Sequence, residues 1–173
     1  MGYLPIGEEE DDRLSALAIA AAPAAKNVPV SSTSPRRQRV ALERAAACAR
    51  LCEENKAKDV LVLDTRSITT EFDYLILATG NSRRQLHAMA EEIDAHMEGE
   101  KENRQGIEGY ESCKWIIQDY GDIVVHLFDT FSRDFYRLED LWGQGKQVDW
   151  KKYSRAKVPK PISEVSTTTG SCR

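Results

Sequence analysis

Thr79-Gly80-Asn81-Ser82 is where this chain could hold a phosphate. The four residues lie between a short apolar run and the start of an amphipathic one, and free N–H groups at a helix N-terminus favour an anion. Neither a P-loop lysine nor the GxGxxG spacing accompanies them. The alternative reading is an ordinary strand-to-helix turn in which glycine supplies backbone freedom. Nucleotidyl transfer also uses a Gly-Ser turn opening a helix, but it needs two carboxylates on one strand face to hold divalent metals. Alternate strand positions face one way, so the pattern required is Asp-x-Asp or Asp-x-Glu. No predicted strand carries it, and Asp119 and Asp122 stand three apart across a turn.

Other reactive side chains read as structural or stay open. Cys48 and Cys52 share a helical face and could give a metal two thiolates, but zinc usually takes four ligands and no third or fourth stands nearby in sequence. Small core thiols are the simpler reading. His126 lies on an apolar strand beside Val124 and Phe128, the setting of a hydrogen-bonded structural histidine. His87 and His96 are nine apart, too far for a helical ligand pair. The residues therefore assign no catalytic group, metal or cofactor.

The elements that position these groups follow from pattern. Ser34-Pro35 reads as an N-cap and N1 proline opening a helix to about Asn55, with Ala41, Ala45, Cys48 and Cys52 on one stripe. Residues 59–64 and 73–79 are short Val, Ile and Leu runs suited to buried strands. Asn81 or Ser82 caps a second helix whose Leu86, Met89, Ile93 and Met97 fall on one face. A short strand is expected near Ile107. Residues 115–118 and 123–128 form two antiparallel strands joined through Gly121 in a tight hairpin. Ser132 is expected to cap a last helix through about Trp142, with Phe131 and Tyr136 as a hydrophobic staple. The sum is an α/β domain, a mixed sheet packed by helices.

Charge divides the 173 residues into three. Residues 1–35 carry two bases against five acids, residues 36–142 carry 15 against 21, and residues 143–173 carry seven against two. The two ends, rich in Pro, Ser, Thr or Ala, are expected to be tails around a folded domain at 36–142. A domain with a charge of −6 repels phosphate, which disfavours a direct RNA-binding module and favours docking on a basic protein, with the basic end as a secondary contact to RNA. No window approaches the ~20 apolar residues of a membrane span. The run Leu14–Ala25 follows Glu8, Glu9, Glu10, Asp11 and Asp12, which fits neither a secretory signal nor a transit peptide. The cytoplasm is the expected location, and Cys48, Cys52, Cys113 and Cys172 are expected to be reduced thiols.

Four ordered segments carry a family resemblance. They are residues 59–64, residues 73–82 ending in Ala-Thr-Gly-Asn-Ser, WIIQDYGDIVVH at 115–126, and RDFYRLEDLW at 133–142. In type, order and spacing they resemble the Iojap family, the ribosomal silencing factors, over residues 38–142. Gln85 stands where many members carry histidine, and the two ends fall outside the pattern.

The resemblance implies a nucleotidyltransferase-like shape without catalytic carboxylates, and a non-enzymatic factor. Such a factor binds ribosomal protein L-fourteen on the large subunit and blocks joining of the small one, lowering translation when nutrients are scarce. A homodimer is compatible with it, and a nucleotide-binding enzyme of nucleotidyltransferase type is the alternative. On this reading Trp115, Tyr120 and Tyr136 are the expected anchors, with Asp119, Asp122 and Glu139 as acidic complements and Arg133 as a polar contact. Alternation along a strand leaves open whether Trp115 meets solvent or core.

Overall fold

The computed structural model of the protein describes residues 34–153. The expectations for the outermost parts of both ends, and for Cys172, lie outside the described residues.

Helix α1 spans Pro35–Glu54, with Ser34 Oγ accepting the Arg37 N–H and proline at its start. Its buried face is mostly alanine and cysteine, which lets the helix lie close to the sheet. Strands β1 (Lys58–Asp64) and β2 (Tyr74–Gly80) follow, then helix α2 (Arg83–Gly99) capped by Ser82. After α2 come β3 (Gly106–Glu108), β4 (Trp115–Asp119) and β5 (Ile123–Asp129). The six-stranded sheet has the order β3-β4-β5-β2-β1-β6, with β6 at Lys146–Gln147. Central β2 and β5 run parallel, from Tyr74 opposite Ile123 to Gly80 opposite Asp129, and the other pairs are antiparallel. The mixed α/β architecture expected from the apolar runs is the one observed.

Strand alternation divides the core into two layers. Tyr74, Ile76, Ile116, Tyr120, Val125 and Leu127 pack under α1 and α2. Leu75, Leu77, Trp115, Ile117, Val124 and Phe128 face the other way, under short C-terminal elements that contribute Leu138 and Trp142. Gly80 joins β2 to α2 closely: a Cβ there would stand 2.9 Å from a Leu86 methyl carbon.

Two expectations are corrected. The folded region does not stop at residue 142. Strand β6 pairs with β1, and Trp150, on a 3-10 turn at Trp150–Lys152, enters the core beneath α1 at 6% exposure. One tryptophan and a two-residue strand anchor this segment despite its lysines. Nor is the last helix continuous from Ser132. Asp129 caps α3 (Thr130–Tyr136) by accepting the Ser132 N–H at 2.7 Å. A carboxylate suits the positive end of a helix better than a hydroxyl, and Asp129 is held in place by its pairing with Gly80. Arg137, left-handed at φ 44°, ends α3 and opens α4 (Leu138–Leu141). Phe131 therefore stacks on Phe135 while Tyr136 turns inward to Trp115, and no staple forms.

Candidate functional site

The seven residues expected to contact a partner separate into two groups at opposite ends of the β4–β5 hairpin. Trp115, Arg133, Tyr136 and Glu139 come together where β5 passes into α3. Asp119, Tyr120 and Asp122 sit at the turn. Six residue steps along β5, at ~3.3 Å each, put ~20 Å between the two ends.

At the first end Trp115 belongs to the interior, at 7% exposure. Its ring lies against Phe128 and Tyr136, with centroids 4.9 and 4.6 Å away, and its Nε1–H donates to His126 Nδ1 at 3.0 Å. That bond requires neutral imidazole with Nδ1 unprotonated. Burial, aided by the nearby Arg133 guanidinium, pushes His126 down to about 3. His126 is thus the structural histidine that its apolar strand suggested.

Arg133 is also buried. Its Nε donates to Glu139 Oε1 at 3.0 Å, its Nη2 to the Asp59 carbonyl at 3.3 Å, and its guanidinium lies over the Phe128 ring. A buried cation is tolerable only when paired, so Arg133 and Glu139 fasten α3 and α4 to β1.

At the turn, Gly121 (φ +82°) makes the tight hairpin, and its N–H donates to Asp119 Oδ1 at 2.7 Å. Tyr120 is buried on the helix side, donating its hydroxyl to Asp94 Oδ1 at 2.5 Å. Asp122 is ion-paired with Arg37 at 3.2 Å. Its carbonyl accepts the N–H groups of Asp73 and Tyr74, tying the turn to β2. The Asp73 carboxyl beside it is raised, by burial first and by Asp122 second.

The surface itself offers other groups. Phe131 is 74% exposed, and Phe135 and Leu141 are each 57% exposed, the largest apolar exposures among the described residues. Exposed Asp134 and Asp140 lie among them in sequence, Asp140 pairing with Arg137 at 2.7 Å. Sequence reasoning missed this patch. The signal was the i, i+4 spacing of Phe131 and Phe135, which share a face once the helix is capped at Asp129 instead of Ser132.

At the Thr79–Ser82 turn, side chains of the same segment already engage two of the N–H groups that a phosphate would use. The Asn81 N–H donates to Gln85 Oε1 at 2.7 Å and the Gln85 N–H to Ser82 Oγ at 3.2 Å. Gln85 Nε2 is spent on the Asn55 carbonyl, and the Asp129 carboxylate on the neighbouring strand end repels an anion. Cys48 and Cys52 are fully buried core thiols; burial pushes Cys48 up to about 12 and Cys52 higher still. Among the described residues no three His, Cys, Asp or Glu side chains converge as a metal-binding set, and no helix is long and apolar enough to cross a membrane.

A family model described as ribosomal silencing factor during starvation matches residues 38–171. The chain belongs to the ribosomal silencing factor family. A Bacillus subtilis relative named ribosomal silencing factor RsfS is 36% identical over 101 residues, 58% of this chain and 86% of its own. The crystal structure of a Chromobacterium violaceum protein aligns with a TM-score of 0.57 and 35% identity, covering 70% of this chain and 97% of that one. A mouse protein named mitochondrial assembly of ribosomal large subunit protein 1 is 30% identical over 95 residues, 53% of this chain and 42% of its own. The family match runs well past residue 142, in keeping with the folded segment that carries Trp150.

Proposed function

We propose that the chain represses translation by occlusion: it docks on the large ribosomal subunit through ribosomal protein L-fourteen and keeps the small subunit from joining. Family membership and the names of the relatives support the ribosome as the place of action. The observation that carries the docking reading is the stacked Phe131–Phe135 pair, which with Leu141 forms the most exposed set of large apolar side chains among the described residues.

The patch supplies anchors and the acids around it supply complementarity to a basic protein. A standard interface of ~1,600 Å² around such a centre suffices to exclude a large competitor without any turnover. Trp115, Tyr136, Arg133 and Glu139 act from beneath, fixing α3 and α4 so that the phenylalanines project. Asp119 and Asp122 lie on a second, acidic end of the same hairpin and would act as rim charges.

The basic residues between Arg155 and Lys160 add a salt-sensitive contact with ribosomal RNA. The factor works in the cytoplasm and is non-enzymatic. A homodimer formed through the same patch would make self-association and docking mutually exclusive. The test is sedimentation of the full chain with separated subunits. Binding to large and not small subunits supports the reading, whereas equal binding to both means nonspecific charge attraction and removes it.

A further inference from the structure

We propose that Cys113 and His87 form a thiol–imidazole pair that makes Cys113 a modification site for small disulfides. Cys113 closes the loop between β3 and β4 with φ +54°, a conformation that side-chain-bearing residues rarely adopt. It thereby turns its sulfur onto α2. Sγ lies 2.7 Å from His87 Nε2 and 3.0 Å from the Tyr110 carbonyl oxygen, and Nε2 lies 2.9 Å from the same oxygen. With the neutral imidazole's proton on Nδ1, Nε2 accepts from the thiol, and once it has taken that proton its N–H can donate to the Tyr110 carbonyl, which can only accept. Thiol and imidazole can exchange a proton directly, without an intervening water.

The imidazole is held for that exchange. Its ring stacks on Tyr110, with centroids 4.3 Å apart and planes 20° apart. The Tyr110 hydroxyl donates to Glu91 Oε1 at 2.8 Å, and Glu91 stands one helical turn beyond His87 on α2. A thiol with a positioned base is the arrangement from which nucleophilic sulfur chemistry proceeds.

Cys48 and Cys52 provide the internal contrast. They lie under α1, where burial holds both as unreactive thiols, and baring them means lifting a 20-residue helix off the sheet. Cys113 is 3% exposed and belongs to the same core cluster, but unlike them it lies against the half-buried His87 and Tyr110 and is flanked in sequence by exposed Glu111, Ser112 and Lys114. Local opening of residues 109–114 bares it without disturbing either long helix.

The reaction is thiol–disulfide exchange with a low-molecular-weight disulfide. Cys113 Sγ attacks one sulfur, the new S–S bond forms as the old one breaks, and His87 Nε2 takes the thiol proton and passes it to the departing thiolate. Cys113 is oxidised to a mixed disulfide while half of the reagent is reduced to a free thiol, so no other reactant is required.

The experiment treats the full chain carrying Cys172→Ser with oxidised glutathione and follows each cysteine-containing peptide by mass spectrometry. Cys113 should be modified at least ~100-fold faster than Cys48 or Cys52 in the native protein, and His87→Gln should slow it by ~100-fold, the scale of a positioned base. Indistinguishable rates for the three thiols in the native chain would overturn the proposal. So would an unchanged Cys113 rate in folded His87→Gln protein. If that variant fails to fold, the comparison of the three thiols in the unsubstituted His87 protein decides alone.

Discussion

Replacing Phe131 and Phe135 together with alanine perturbs the docking surface while sparing the core. The two rings are 74% and 57% exposed. On a phenylalanine surface of ~200 Å² they leave about 260 Å² open to a partner. Covered completely at ~25 cal/mol per Å², that area is worth about 6.5 kcal/mol. Association realises only part of such a gain, and truncating a strong anchor costs ~2–4 kcal/mol. The double variant should therefore lose about 3 kcal/mol of affinity for the large subunit, roughly 150-fold. Its stability should change by ~1 kcal/mol or less, since what is lost inside the molecule is the Phe131–Phe135 stack and the edge contact of Phe135 with Tyr136, both involving largely exposed rings. Large-subunit binding and thermal unfolding are measured on the same preparation. An affinity within threefold of the unsubstituted chain, in a variant that melts normally, would refute the assignment and leave the Asp119–Asp122 end as the surface to test.

Acid should weaken the fold through His126, whose folded value is about 3 against an ordinary 6.5. Its contribution is complete above pH ~6.5 and is lost as pH falls toward 3, by roughly 1.4 kcal/mol per pH unit; urea unfolding at pH 7, 5 and 4 should show the slope, and a His126→Phe chain should show less of it. Ending the chain after residue 153 should leave thermal stability nearly unchanged, whereas ending it after residue 142 removes Trp150 and β6 and should cost at least ~3 kcal/mol, read as a lower denaturant midpoint. Purified protein should neither hydrolyse nor transfer a nucleotide with Mg²⁺ or Mn²⁺, because the N–H groups of Asn81 and Gln85 are occupied and the strands lack paired carboxylates; an activity that copurifies and vanishes on replacing Asp119 or Asp122 would contradict this.

The long elements were legible because period and caps agreed. Ser34-Pro35 fixed one end of α1, the 86-89-93-97 spacing marked the buried face of α2, and the apolar runs at 59–64 and 73–79 became paired strands. The C-terminal end was not. Asp129 and Ser132 both offer caps, and the choice depends on where the sheet delivers the chain, a tertiary fact that single-sequence pattern does not hold. The break at Arg137 carries no glycine to announce it. Trp150 is diluted by Lys146, Lys151 and Lys152, whose charges look like a solvated tail until β6 is seen beside β1.

The candidate site was half legible for the same reason. Aromatic and charged residues near the hairpin and last helix stood out, but alternation could not say that Trp115 and Tyr120 point inward. Misplacing one cap by three residues hid the shared face of Phe131 and Phe135.

The central claim is occlusion, and subunit joining tests it most directly. Purified small subunits are added to large subunits preincubated with a molar excess of the full chain, and the products are separated on a sucrose gradient at physiological salt. The joined-ribosome peak should fall in proportion to the chain bound, with the protein migrating on free large subunits, and the Phe131→Ala, Phe135→Ala chain should restore the peak. An undiminished joined-ribosome peak in which the bound protein co-migrates with both subunits would contradict the account.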